Sequence, residues 1–170
     1  LEELQLGFKQ PLLADPNSLL SKHEVALKKY IVAHVNPETP AGQKWTVTVQ
    51  SLATQFEKPP FDLVAQVWMQ PPAGESPRRF RFNYSVINHE VMNHNAFVSV
   101  RNDWDTAVFS GKPEPLGNIL FTITALNIDR TTGNWWQGFR SVVDVGVHHI
   151  AEGTDHLLFL LVLLLPAPLL

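Results

Sequence analysis

Between residues 44 and 128, hydrophobic positions alternate with polar ones, which is the period of a half-buried β-strand. In KWTVTVQ, for example, Trp45, Val47 and Val49 fall on one side of the segment. Five segments follow this pattern: 44–50, 61–69, 79–87, 96–101 and 118–128. Turns that contain Pro or Gly separate them. Short strands at such spacing predict a mainly β fold, a small antiparallel β-sandwich.

The residues before these segments are patterned differently. Hydrophobic residues recur at helical spacing in a segment that starts near Ser21 and runs to about Val35, where the sequence NPETPAG breaks it. Ser21 and Glu24 have the spacing of a capping box at the start of this helix. We expect the helix to pack on the sandwich, with His34 packed or hydrogen-bonded beside its apolar face. Residues 1–8 are interpreted as a strand or an edge segment.

Near the C-terminus the period becomes helical and the composition strongly apolar. Residues 142–165, VVDVGVHHIAEGTDHLLFLLVLLL, form a stretch of about 24 residues, which as a helix of about 36 Å crosses a bilayer core of about 30 Å. This predicts a C-terminal transmembrane helix that the chain end truncates. Its first two thirds nevertheless carry six ionisable residues: Asp144, His148, His149, Glu152, Asp155 and His156. Ionisable groups inside a membrane are costly and face a partner, a cavity or an ion path.

On a helical wheel at about 100° per residue, these six residues occupy an arc of roughly 140°. Imidazole nitrogens suit nickel, cobalt, copper and zinc, and carboxylates neutralise the charge of such ions. His149 and His156 lie two turns apart, about 10 Å along the axis, too far to chelate one ion together. Glu152 makes a better pair with His148 or with His156. The remaining ligands would come from other helices, or the ion would pass from site to site.

The segment 129–141, which connects the last predicted strand to the predicted transmembrane helix, contains several aromatic residues. Trp135, Trp136 and Phe139 precede the predicted span, and Trp rings are favoured at the bilayer interface. Arg140 could extend its guanidinium to lipid phosphates. Alternatively, these aromatic side chains close the bottom of the sandwich core, and both roles are compatible.

Other interpretations of the charged residues stay open. In one, they are the solvated lead-in of a single-span anchor, and the span begins near Leu157. In another, His149, Glu152 and His156 bind zinc as in a protease, although their spacing differs from His-Glu-x-x-His. A third metal hypothesis concerns the turn HEVMNH, where His89 and His94 flank Glu90; paired histidines in a polar turn are more often solvated.

Composition excludes several classes of protein. The chain of 170 residues has a net charge of −3 and no basic field, which argues against binding to nucleic acid. It contains no Cys and therefore has neither disulfides nor thiolate metal sites. No Ser-His-Asp set, paired-acid cleft or phosphate-binding glycine loop is apparent, so we predict that it is not an enzyme. The start at Leu1 and the end at Leu170 in apolar sequence indicate a fragment or an expressed piece of a longer membrane protein.

The segment from His149 to Leu165 resembles the first membrane helix of the HupE/UreJ family. The marker of that family is His, five residues, then Asp-His, and here it is formed by His149, IAEGT, Asp155 and His156. Residues 83–104 are similar to the extracytoplasmic domain that precedes the membrane region in one branch of the family. HupE/UreJ proteins are multi-span bacterial membrane proteins associated with nickel supply to hydrogenase and urease.

The resemblance implies permeation of a metal cation, nickel or cobalt, with His149, Asp155 and His156 as ligands. His148 and Glu152 are added to this metal site from the helical wheel. We expect 1–133 to be an extracytoplasmic domain on the periplasmic side of the bacterial inner membrane, and 134–170 to be the interfacial segment and first transmembrane helix. The expected partners are the lipid bilayer, further transmembrane helices of the full-length protein and an unidentified accessory protein, with no tightly bound cofactor.

Two alternative functions follow from the same residues. The sandwich could be a membrane-anchored module that binds a ligand or a partner, with the helix only as its anchor. Two observations would favour this module: tight ligand binding by residues 1–133 alone, and unchanged function when any other apolar span replaces the helix. A membrane metallohydrolase ranks last, and it would require zinc-dependent activity that is lost on Glu152→Gln.

Overall fold

The computed structural model describes residues 1–13, 15, 18–57, 61–109, 111–152, 158–159 and 162. Its elements in chain order are α1 (Glu2–Phe8), α2 (Leu19–His34), β1 (Val35–Glu38), β2 (Thr46–Gln55), β3 (Asp62–Gln70), β4 (Arg79–Tyr84), β5 (Ala96–Val100), β6 (Glu114–Ile119), β7 (Ala125–Asp129) and α3 (Trp135–Glu152). A short 3-10 helix, Trp104–Thr106, lies between β5 and β6. The chain is mainly β with antiparallel sheets, which confirms the predicted fold class.

The strands form three small sheets. β4 is the centre of a three-stranded antiparallel sheet, with β1 on one side and β7 on the other. β2 and β3 form an antiparallel pair, in which an irregularity between Val49 and Ser51 shifts the register. β5 and β6 form the third sheet. The alternation of half-buried and exposed residues along β3 is the one that the sequence pattern predicted.

The hydrophobic core joins the two N-terminal helices to the strands that follow them. Its buried members are Leu4, Leu12, Leu19, Leu27, Ile31, Val35, Val49 and Val86. α2 contributes a face at helical spacing, of which Leu27 is fully buried. This confirms the helix predicted from Ser21 to about Val35 and its packing on the β-strands.

Several local predictions are wrong. Residues 1–8 form helix α1 and not a strand, because Leu4 and Gly7 provide a buried face at helical spacing and acidic residues occupy the first turn. The capping box is absent: Ser18 is the N-cap of α2, the Ser21 hydroxyl donates to the Ser18 carbonyl, and Glu24 pairs with Lys28.

Two further differences concern strands. The segment after α2 was expected only to break the helix, yet Val35–Glu38 continues directly as β1. The predicted strand 118–128 is interrupted, because Leu120 and Ile123 exchange backbone hydrogen bonds of 3.0 and 3.1 Å in a turn between β6 and β7. The apolar residues Phe121 and Ile123 hide this turn in the sequence, and both are exposed.

The chain divides into two compact units. The first comprises Leu1–Ser99 and Pro115–Thr131, and the second comprises Val100–Glu114 and Thr132–Leu170. The predicted domain 1–133 includes residues 100–114, whereas the structure groups these residues with α3. The first unit contains the core described above, and the second contains the 3-10 helix and α3.

The predicted transmembrane helix begins within α3. Within the parts of the chain that the structure describes, no helix has both the length and the apolar character needed to cross a membrane. α3 is described from Trp135 to Glu152, and most of 153–170, the most apolar part of the predicted span, lies outside the described residues. The transmembrane helix therefore stays a prediction.

Candidate functional site

Helix α3 carries the described part of the predicted metal site. Asp144, His148 and His149 are all exposed on it. The Nδ1 atom of His148 lies 2.9 Å from the backbone carbonyl oxygen of Asp144, one turn earlier, and 3.6 Å from the Asp144 carboxylate. Because a carbonyl oxygen can only accept, this hydrogen bond places the proton of neutral His148 on Nδ1. The Nε2 lone pair is then the one that can bind a metal ion.

The structure brings together only part of the predicted ligand set. Glu152 is the last described residue of α3, and Asp155 and His156 lie outside the described residues. Among the residues that are described, no three or more His, Cys, Asp or Glu side chains are grouped to hold a metal ion. Asp144 and His148 are joined as an i,i+4 pair, while the roles of His149, Asp155 and His156 stay predictions.

The apolar residues of α3 are also exposed. Along the helix, Val145 has 62% and Val147 has 58% of its surface accessible. Val142, Val143 and Ile150 are exposed as well. A helix with apolar side chains in contact with solvent on this scale is typical of a segment that lipid or other helices cover.

An aromatic cluster precedes these residues, and its members are Trp104, Trp135, Trp136 and Phe139. The rings of Trp135 and Phe139 stack with centroids 5.3 Å apart, and Trp136 contacts both edge to face. Trp104 joins from the 3-10 helix, where its Nε1–H donates to the Trp135 carbonyl oxygen at 3.1 Å. The sequence indicated the other three residues but missed Trp104, because no local pattern links it to a helix that starts 31 residues later.

A histidine cluster lies in the first unit, at the end of α2. The rings of His34 and His89 are stacked, with centroids 4.1 Å apart and an interplanar angle of 16°. Ser85 holds both rings: its hydroxyl is 2.9 Å from Nδ1 of His34, and its carbonyl oxygen is 2.8 Å from Nδ1 of His89. Tyr30 packs against both imidazoles. The prediction that His34 is packed or hydrogen-bonded is confirmed, and the structure shows both.

Because of this histidine stack, we expect the free energy of unfolding to fall in mild acid. Burial lowers the pKa of His34 below its ordinary value, and the neighbouring His89 adds to the shift. The unfolded chain therefore binds more protons than the folded chain as the pH falls below about 6.5, so folding weakens there. We expect His34→Gln to reduce the loss of unfolding free energy between pH 7.5 and 5.5, measured by urea denaturation in detergent.

Lys29→Gln is the matched control, because it introduces the same residue at an exposed position of the same helix without removing an imidazole. It should retain the pH dependence of the unmodified chain. An identical pH dependence in His34→Gln and Lys29→Gln would contradict the role assigned to the stack.

The turn with His89, Glu90 and His94 does not form a joint metal site. Nδ1 of His94 lies 2.6 Å from the Glu3 carboxylate of α1, and the Glu90 carboxylate lies 2.6 Å from the Lys9 ammonium. His89 turns to Ser85 and His34 instead. The three side chains are thus directed to different partners that tie the turn to the helices.

The first unit also contains a cavity of about 580 Å³. Its apolar lining includes Ile31, Val35, Leu63, Ala65 and Val67, and its polar lining includes Glu2, Glu3, Asp62 and His94. This size and composition are those of a pocket that takes a small molecule. No local pattern in the sequence indicates this cavity, because its walls come from segments that are distant along the chain.

Comparison with known proteins finds a family match in the C-terminal part of the chain. Residues 124–170 match the model of a family described as HupE / UreJ protein, which confirms the resemblance predicted from His149 to Leu165. Proteins of this family are membrane proteins with an accessory function related to metal supply or transport. No curated protein and no solved structure matches the chain. The match starts after 83–104, so the resemblance of that segment stays a prediction.

Proposed function

We propose that the chain is the extracytoplasmic domain and first transmembrane helix of a protein that takes up nickel or cobalt, or supplies these metals to metalloenzymes. The observation that carries the proposal is the family match over 124–170, which contains every predicted metal ligand. The metal ion is the transported substrate and not a resident cofactor. The protein resides in the bacterial inner membrane, with residues 1–133 on the periplasmic side, and is not an enzyme.

The ligand chemistry of this segment supports the proposal. His149, Asp155 and His156 supply imidazole and carboxylate groups, the ligand types that suit a borderline divalent cation, and an ion would pass between His149 and His156 because they lie two turns apart. His148 has its Nδ1 atom engaged by the backbone, and such a bond orients an imidazole and leaves Nε2 for a metal. With Glu152, these side chains would line one wall of a path, and further helices of the full-length protein would supply the other ligands.

The proposed function is tested by metal accumulation. Cells that express the full-length protein should accumulate more radioactive nickel than cells that lack it, and excess cobalt should reduce this accumulation by competition. Expression is checked in the membrane fraction of the same cells. Equal accumulation in both strains, with the protein present in the membrane, would contradict a role in uptake.

A second candidate function rests on the cavity of the first unit. A pocket of about 580 Å³ with apolar walls and several carboxylates fits a membrane-anchored module that binds a ligand and does not transport it. Under this alternative, cells that express the protein accumulate no more metal than cells that lack it. The accumulation experiment above therefore distinguishes the two functions.

A further inference from the structure

We propose that the segment 100–109 is a second membrane-contacting element, and that Trp104 lies in the headgroup zone of the bilayer beside Trp135 and Trp136. The inference rests on the proposed membrane location of α3. It goes beyond that location because 100–109 lies outside the range of the family match and precedes α3 by more than twenty residues.

The segment is held against α3 by close backbone contacts at two glycines. An added Cβ at Gly138 would lie 2.3 Å from the Trp104 carbonyl oxygen, and one at Gly133 would lie 2.4 Å from the Asp105 carbonyl oxygen. Only glycine permits so close an approach. The Asn134 N–H also donates to the Asp105 carbonyl oxygen at 2.9 Å. Trp104 is therefore fixed relative to the first turn of the helix.

The cluster that results is apolar, aromatic and exposed. Trp136 has 68% of its surface accessible, Trp135 has 54%, Phe139 has 43% and Trp104 has 38%. Four contiguous aromatic rings with this exposure require a covering partner, since monomeric soluble proteins rarely leave such a patch in water.

Lipid is the occupant that the order of residues along α3 favours. The aromatic rings come first, the exposed residue Arg140 follows, and the exposed residues Val142, Val143, Val145 and Val147 come next, with Asp144 as the one charged residue among them. Aromatic rings and a cation at the headgroup level, followed by aliphatic side chains, match the polarity of a bilayer from its interface inward. Trp104 lies at the aromatic end of this gradient.

Fluorescence quenching tests the position of Trp104. In the full chain, the other four tryptophans are replaced by Phe, and the protein is reconstituted into phosphatidylcholine vesicles brominated near the headgroup end of the acyl chains. Matched variants retain only Trp136 or only Trp68. Trp68 is the control because it is 62% exposed but lies on β3 in the first unit.

We expect brominated lipid to reduce the Trp104 fluorescence by about the same fraction as that of Trp136, and to leave Trp68 unchanged. Quenching of Trp136 without quenching of Trp104 would overturn this inference and leave the membrane location of α3 intact. Quenching of neither would overturn both. If Trp104 resists both brominated lipid and aqueous acrylamide, protein covers the cluster, which also overturns the inference.

Discussion

Alanine at His149, Asp155 or His156 is expected to reduce nickel or cobalt accumulation by the full-length protein to the level of cells that lack it. Each substitution would remove a proposed metal ligand from the wall of the proposed path, and a cation that loses its hydration shell there needs replacement ligands. His148→Ala and Glu152→Ala should have weaker effects, because these two residues come from the helical wheel and not from the family marker. The measurement is radioactive metal uptake, normalised to protein in the membrane fraction.

Two controls separate loss of a ligand from loss of folding. His23→Ala removes an imidazole from α2 in the first unit, and Val147→Ala shortens an exposed side chain elsewhere on α3. Both variants should keep the accumulation of the unmodified protein. Full accumulation in all three of the His149, Asp155 and His156 variants would exclude a metal path that runs through these residues.

The second large effect is expected at Gly138. In Gly138→Ala the new methyl group would lie 2.3 Å from the Trp104 carbonyl oxygen and 2.8 Å from its ring. Since neither the backbone nor the ring of Trp104 can yield without displacing the segment, we expect a loss of about 1–3 kcal/mol in the unfolding free energy of the second unit. The measurement is the urea midpoint of Trp104 fluorescence in the variant that retains only this tryptophan.

Gly146→Ala is the matched control on the same helix. Nothing lies within 4 Å of an added Cβ at Gly146, and alanine is favoured over glycine in a helix by about 0.8–1.0 kcal/mol. This variant should therefore be as stable as the unmodified chain or slightly more stable. Equal midpoints for Gly138→Ala and Gly146→Ala would show that the close approach of Trp104 to α3 does not contribute to stability.

The fold could be predicted where one face of an element is buried and its period is regular. β3 was predicted for this reason, and so was α2, whose residues Leu27 and Ile31 face the core. α1 was missed because a helix of 7 residues has too few positions to distinguish its period from that of a strand. β1 was missed because a proline such as Pro37 commonly ends secondary structure. Pairing with β4 on one side makes β1 an edge strand, and a proline is tolerated in an edge strand.

In the candidate site, too, local relations could be predicted from the sequence, and contacts between distant segments could not. The i,i+4 relation of Asp144 and His148 is local, so the helical wheel found it. The contact of Trp104 with Trp135 depends on the return of the chain after β6 and β7, which no single period encodes. One signal was present: Gly138 inside a helical pattern costs about 1 kcal/mol compared with alanine, and such a glycine often marks a close approach of another backbone.

Pro37 has a consequence for how the domain behaves at high protein concentration. β1 is an edge strand, and such edges can recruit strands from other molecules. Here the Pro37 carbonyl oxygen already accepts a hydrogen bond from the Trp45 N–H at 3.0 Å. Glu38 also forms an isolated antiparallel β-bridge with Lys44, on the side of β1 away from β4. A proline that has no N–H and a carbonyl that is already bonded leave little for an incoming strand to pair with, so this edge resists intermolecular aggregation.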